Sequence, residues 1–429
     1  MSAELISIIV LVAVFVIATT RSINMGALAF AAAFGVGELV ADFDTDTIFA
    51  GFPGDLFVVL VGVTYLFAIA RANGTTDWLV HASIRVVRGR VALIPWVMFV
   101  LTGALTAIGA VSPAAVAIVA PIALSFATRY GISPLLMGAM VVHGAQGGGF
   151  SPISIYGSIV NGIVERENLP GNEIALFLAS LIVNLVIAGI LFVVLGGLKL
   201  RGADAGTEAA GGKGADEVPD DEEKKAEEDT RLTPARIATL AALVALVVAV
   251  LAFDLDAGLT SISLAVVLSA CWPEDSRNAV GQIAWPTVLL ICGVLTYVAV
   301  LDEMGTIKWA GDGVSDIGIP LLASVLLCYI GAVISAFASS VGIMGALIPL
   351  AVPFLAQGEI GAIGMVAALA VSATVVDVSP FSTNGALVLA AAPGVDRERF
   401  FRQLMMYGGI VVAVVPAVVW LVLVVPGWG

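Results

Sequence analysis

The sequence predicts an all-α polytopic membrane protein made of two inverted repeats of five spans. Three observations carry that prediction. First, 60% of the residues are hydrophobic and only 12% are charged, and the mean hydropathy is +1.06. That is more apolar surface than a water-soluble chain can bury. Second, Ser151-Pro152-Ile153-Ser154 returns as Ser379-Pro380-Phe381-Ser382, 228 residues later, inside a second long apolar run. Third, each half holds five spans, an odd number, so two copies of one fold insert in opposite directions. Inverted repeats of this kind mark many secondary transporters.

Crossing about 30 Å of hydrocarbon takes roughly 20 apolar residues. Such runs lie near 4–19, 24–41, 55–71, 132–164 and 173–197, and again near 234–253, 257–272, 284–302, 358–393 and 399–425. The first lacks a basic leader and a small-residue cleavage site, so it reads as a span. Between the runs lie two pairs, 91–109 with 112–129 and 319–337 with 340–356. Each pair turns at small or polar residues, and either is two full spans or a hairpin that enters and leaves by one face. Residues 73–90 read as an interfacial helix, with 304–316 as its counterpart.

The runs at 132–164 and 358–393 are interrupted. Gly147–Gly157 reads Gly-Gly-Gly-Phe-Ser-Pro-Ile-Ser-Ile-Tyr-Gly. Glycine and proline do not sustain a lipid-facing helix. A broken helix at membrane depth survives only where protein or a water-filled cavity covers it. The 228-residue spacing also relates Gly157 to Gly385, Gly103-Ala104 to Gly331-Ala332, Ser112 to Ser340 and Pro121 to Pro349. The two breaks are therefore expected to face each other and hold a solute near mid-depth.

Residues 1–200 form the first repeat, 201–232 a cytoplasmic linker and 233–429 the second repeat. The linker holds eleven acidic and five basic residues and almost nothing apolar, so it reads as a solvated tether. The net charge of −14 argues against nucleic acid as a partner. Arginines and lysines mark the cytoplasmic side. Arg21, Arg71, Arg90, Arg129, Lys199, Arg277, Arg397 and Arg402 are then inside, and Asp42, Asp44, Asp46 and Asp55 outside. Both termini fall outside. The three cysteines lack metal-like spacing and read as core residues. No nucleotide-binding glycine loop is present, which leaves an ion gradient as the energy source.

Candidate site residues cluster at the breaks and pair turns. Ser112, Ser151, Ser154, Ser340, Ser379, Ser382, Thr383 and Asn384 are expected to bind substrate. Gln146, Gly148, Ser339, Thr374, Asp377 and His143 are expected to hold or couple a cation. Hydroxyls, amides and helix ends can replace the water around an ion or an oxyanion. A lone serine in a membrane helix more often packs or bonds its own backbone, but a matched pair carries more weight. Asp377 is an acid inside an apolar span, costly enough to imply function. It holds a cation, carries a proton or is paired structurally. His143 is either proton-linked or a neutral core histidine.

Phe52-Pro53-Gly54-Asp55-Leu56-Phe57, Gly147–Gly157 and Asp377–Leu387 resemble the ion-transporter superfamily. The match is to malonate-carrier-like (MatC-type) dicarboxylate permeases related to divalent-anion:sodium symporters. The resemblance spans nearly the whole chain. It implies that each half carries a re-entrant hairpin and a broken helix, so that 91–129 and 319–356 are the hairpins. It also implies a homodimer and an elevator-type motion. In the symporters each hairpin tip carries Ser-Asn-Thr. Here Val111-Ser112-Pro113 and Ser339-Ser340-Val341 take that place, without the Asn or the Thr. The coupling ion, Na⁺ or H⁺, is therefore left open.

The expected function is secondary active transport of a small dicarboxylate, malonate or a four-carbon diacid, across the plasma membrane. No enzyme activity and no cofactor are expected; the partners are substrate, coupling cation and lipid bilayer. The alternative is a sodium/proton antiporter using Asp377 and His143.

Overall fold

In the computed structural model the described residues are 2–21, 23–85, 90–202, 231–253, 255–307, 309, 320–336, 340–355, 360–392 and 395–427. Most of the linker, the greater part of the 304–316 counterpart helix and Ser339 lie outside them.

The first half runs α1 (Ala3–Thr20), α2 (Met25–Leu39), α3 (Thr45–Ala50), α4 (Gly54–Ala72), α5 (Thr75–Arg85), α6 (Ile94–Ala107), α7 (Ser112–Arg129), α8 (Pro134–Gly148), α9 (Ile155–Arg166) and α10 (Glu173–Val194). The second runs α11 (Pro234–Phe253), α12 (Ala257–Cys271), α13 (Pro273–Ser276), α14 (Trp285–Glu303), α15 (Pro320–Ser335), α16 (Ser340–Leu355), α17 (Ala362–Val375), α18 (Thr383–Ala390) and α19 (Arg397–Leu423). Every apolar run of the sequence is a helix, and both interrupted runs are two helices joined by a turn. The 42–55 loop differs from expectation: it holds the short α3, because Asp44 caps its first turn, accepting from Thr47 N at 2.8 Å.

Among the described residues, six helices are long and apolar enough to cross a membrane: α4, α7, α10, α11, α14 and α19. With the shorter apolar helices beside them, they make a multi-pass membrane protein. α6 has 14 residues, a rise of about 21 Å, and α15 has 16, about 24 Å. Like α2, α8, α12, α16 and α17, which have 14–16 residues, they are shorter than the hydrocarbon thickness.

The helices sort into two groups. In one, α2 lies against α14 and α4 against α12, with α1 and α11 outside them. Glycine makes these contacts close. A Cβ on Gly26 of α2 would stand 1.9 Å from Leu289 O, and one on Gly293 of α14 2.0 Å from Gly26 O. At the other crossing, a Cβ on Gly62 of α4 would stand 2.5 Å from Gly258 O. Small residues let helix backbones approach where lipid offers no hydrophobic drive. In the second group α8 is wrapped by α6, α7 and α10, and α17 by α15, α16 and α19. Cross-contacts of α10 with α17, α7 with α18 and α9 with α16 interlock the halves.

Candidate functional site

The two breaks have one backbone frame. Ser154 caps α9, its hydroxyl oxygen accepting from Gly157 N at 3.1 Å. Its proton is shared between Gly149 O at 2.5 Å and Ser151 O at 2.7 Å. Ser382 does the same for α18. It accepts from Gly385 N at 3.3 Å and faces Asp377 O at 2.6 Å and Ser379 O at 2.7 Å. Each of these atoms sits 228 residues from its counterpart. A Cβ on Gly157 would meet Ser151 O at 2.0 Å, and one on Gly385 would meet Ser379 O at 1.9 Å. The Ser-Pro-x-Ser-x-x-Gly pattern is thus a tight turn locked to the helix that follows it. Its second serine serves the backbone, leaving little of its hydroxyl for a solute.

The first-half glycines have a packing reason as well. A Cβ on Gly148 would sit 1.9 Å from Gly103 O, so α8 can lie directly on α6. The Gly148 carbonyl accepts from Ser151 N at 3.2 Å and is part of the turn. Ser151 donates its hydroxyl proton to Ala107 O at the end of α6. That bond ties the first break to the α6–α7 turn. Ser379 instead accepts from Phe381 N at 3.3 Å, within its own turn.

The side chains that meet come from both halves. Asp377 is buried, and its carboxylate accepts from three neutral donors. Ser340 Oγ, at the start of α16, gives 2.7 Å to Oδ1. Gln146 Nε2, from α8, gives 2.8 Å to Oδ2. Asn384 Nδ2, in the first turn of α18, gives 3.4 Å to Oδ2 and 2.8 Å to Ser112 Oγ at the start of α7. Ser335 Oγ donates to Ser340 at 2.7 Å, and the Tyr156 hydroxyl interacts with Ser112. The cluster therefore joins both breaks to the starts of both helices that follow the pair turns. Among the described residues, Gln146 Oε1 and Asn384 Oδ1 are buried with no hydrogen-bond partner. Two unpartnered carbonyl oxygens and a carboxylate are the donor types that hard cations prefer.

Other candidates stand apart. Thr374 donates to Ala370 O at 2.9 Å, its own preceding turn. Thr383 is the exposed first residue of α18. His143 is fully buried and is held by Asn184 and Tyr407, on helices that no sequence pattern pairs with α8. Tyr156 was missed by reasoning from the sequence. Its position matches Asn384 at the 228-residue spacing, and that register could have found it.

Two cavities flank the bundle. One of about 310 Å³ runs from Arg71 and Thr76 past Phe67 to the α6–α7 turn at Val111 and Pro113. The other, of about 880 Å³, is lined at its polar side by Asp55, Glu165, Arg166, Glu167, Asp302 and Glu303. Arg166 pairs there with Asp55, so one arginine joins the acidic end of the protein. Burial, reinforced by the Asp302 charge, pushes the Glu167 carboxyl up to about 7, against the opposite pull of Arg166.

No curated protein matches the chain. Residues 1–149 match the family model described as the dicarboxylate carrier protein MatC N-terminus, which supports a MatC-type dicarboxylate carrier, a transporter and not an enzyme.

Proposed function

We propose that the protein is a secondary active transporter that carries a small dicarboxylate, malonate or a four-carbon diacid, across the plasma membrane together with a cation. The observation that carries this reading is the Asp377 cluster, which gathers Gln146, Ser340, Asn384 and Ser112 from both halves. A buried carboxylate with no basic partner in its hydrogen-bond shell is costly. It also repels a dianion. A cation seated between Asp377 and the orphan oxygens of Gln146 and Asn384 removes both penalties at once. Substrate then binds well only after the cation, and by linkage each ligand raises the affinity of the other by the same factor.

The substrate carboxylates are assigned to the starts of α7, α9, α16 and α18, where unpaired N–H groups and the helix dipoles favour anions. Ser112, Ser151, Ser340, Ser379, Thr383 and Asn384 supply hydroxyl and amide contacts there. Ser154 and Ser382 hold the turns.

The halves are read as inverted repeats. The matched glycine crossings of α2 with α14 and α4 with α12 support this reading, as do the identical frames of the two breaks. Bonds from the breaks to Ala107 and Ser112 set the α6–α7 turn at the depth of the breaks. That depth supports re-entrant hairpins. The resemblance supports a homodimer in which the α2–α4–α12–α14 group stays fixed while the α6–α10 and α15–α19 group moves as an elevator. The antiporter reading needs a histidine with a nitrogen to spare, and both of His143's are engaged.

Uptake of labelled malonate and succinate into proteoliposomes tests the proposal, with Na⁺ or H⁺ gradients imposed separately. Accumulation above equilibrium under one gradient is expected. Equal filling with and without either gradient would refute cation coupling, and absence of any dicarboxylate flux would refute the substrate.

A further inference from the structure

A chain of four buried side chains runs from α19 to the backbone of Gln146. Asn184 Nδ2 donates to Ser180 O at 2.9 Å and faces Ser180 Oγ at 3.3 Å. This fixes the amide orientation, so Asn184 Oδ1 is an acceptor. His143 Nδ1, 2.8 Å away, therefore carries the proton. His143 Nε2 is then the acceptor, and the Tyr407 hydroxyl donates to it at 2.5 Å. Ser180 Oγ completes the chain by donating to Gln146 O at 2.9 Å. Each proton has an acceptor in a neutral network, the arrangement that rigidifies a core.

The network exists in one half. The positions 228 residues away from His143 and Asn184 are Val371 and Val412, and the counterpart of Tyr407 is Ala179. Its place is also telling. Tyr407 reaches the helix that leads into the first break. The next residue, Gly408, lies against the second break, where a Cβ would stand 3.2 Å from the Cα of Ser379. Two consecutive residues of α19 thus touch both sides of the site. They set the register between Gln146 on one break and Asp377 on the other.

We propose that His143, Asn184 and Tyr407 are positioning residues that set how tightly the Gln146–Asp377 pair holds the coupling cation. The inference rests on the reading of Asp377 as the cation seat. His143 serves as a neutral strut and exchanges no proton in the transport cycle.

The test is cation-dependent malonate uptake in proteoliposomes, titrated with Na⁺ at fixed pH and with pH at fixed Na⁺, for Tyr407→Phe and Asp377→Asn. Melting temperature is recorded in parallel. Tyr407→Phe deletes one hydroxyl. It is expected to raise the half-saturating concentration of the driving cation about threefold to tenfold, the worth of one buried hydrogen bond. Its maximal rate at saturating cation should stay within about twofold of the parent, a split that general loosening does not produce. His143→Gln repeats the measurement if Tyr407→Phe does not insert. An unchanged half-saturation beside an altered Asp377→Asn refutes the positioning role alone. A fall in maximal rate that tracks melting temperature refutes it too. Unaltered cation dependence in Asp377→Asn refutes the cation seat itself.

Discussion

The two broken helices share a backbone and differ in chemistry. Both turns are closed by a serine that caps the following helix and by a glycine pressed on the carbonyl of the first serine. Around that common frame, Gly149 of the first break corresponds to Asp377 of the second. Tyr156 corresponds to Asn384, and Gln146 to Thr374. The carboxylate, one amide and the hydroxyl that turns back on its own helix belong to one copy only, as does the other amide to its partner. The repeat supplies two half-helices that meet, while the departures from the repeat supply a charge and its ligands. In the proposed transport cycle, this symmetric frame with its asymmetric lining lets one side hold a cation while helix starts from both sides hold an anion.

The comparison is sharpest at Asp377. Asp377→Asn keeps the shape of the second break and removes the one carboxylate that the cluster surrounds. The expected outcome is loss of cation-driven accumulation, with cation affinity weaker by a hundredfold or more, about 3 kcal/mol. Residual exchange of malonate down its own gradient should survive. Counterflow measured beside gradient-driven uptake separates the two. Retained accumulation would mean that Asp377 is not the seat of the driving cation.

Equivalence of the frames is tested by the glycines. Gly157→Ala and Gly385→Ala each force a methyl to about the same distance, 2.0 Å and 1.9 Å, from a backbone oxygen. Each should cost about 1–3 kcal/mol. The two variants should lower the thermal midpoint of the detergent-solubilised protein by similar amounts. A smaller effect follows from the caps. Ser154→Ala and Ser382→Ala should each lose about 1 kcal/mol, and their double variant should be near additive if the turns are independent. Ser112→Ala and Ser340→Ala are the contrast: each also loses a buried hydrogen bond and some stability, but they should weaken uptake by more than their fall in midpoint accounts for.

Much of the frame was legible in the sequence because it is written in backbone-forcing residues. Glycine, proline and capping serine act locally, and their recurrence at constant spacing exposed both breaks and the pairing of Ser112 with Ser340. The cluster was legible in part. Asp377 stands out as an acid in an apolar run, and Gln146 and Asn384 lie close to the breaks in sequence. Which of them touch depends on the packing of α8, α16 and α18, which no local pattern encodes. The same limit applies to His143. Its partners lie 41 and 264 residues away in sequence, on helices whose packing against α8 no local pattern encodes. Thr374 marks the opposite case: it resembles a ligand by position, yet its hydroxyl is used within its own helix.

The helices that leave the two breaks also end differently, and this difference yields the smallest effect. α9 ends at Glu165, Arg166 and Glu167 beside the acid-lined cavity, whereas the counterpart of Glu167 is Val395. Burial and the Asp302 charge raise the Glu167 carboxyl from 4.5 to about 7 in the folded protein. The unfolded chain gives up this proton near the ordinary value, so the folded state binds it more tightly. Below the ordinary value both states are protonated and nothing is lost. As pH rises toward the folded value the folded state is increasingly penalised, and above it the penalty is constant. The thermal midpoint should therefore fall slightly between about pH 5 and pH 8. Glu167→Gln should remove that slope, by about one degree across the window, and leave the midpoint at low pH unchanged. A slope that persists in Glu167→Gln would assign the pH dependence to another acid of the cavity.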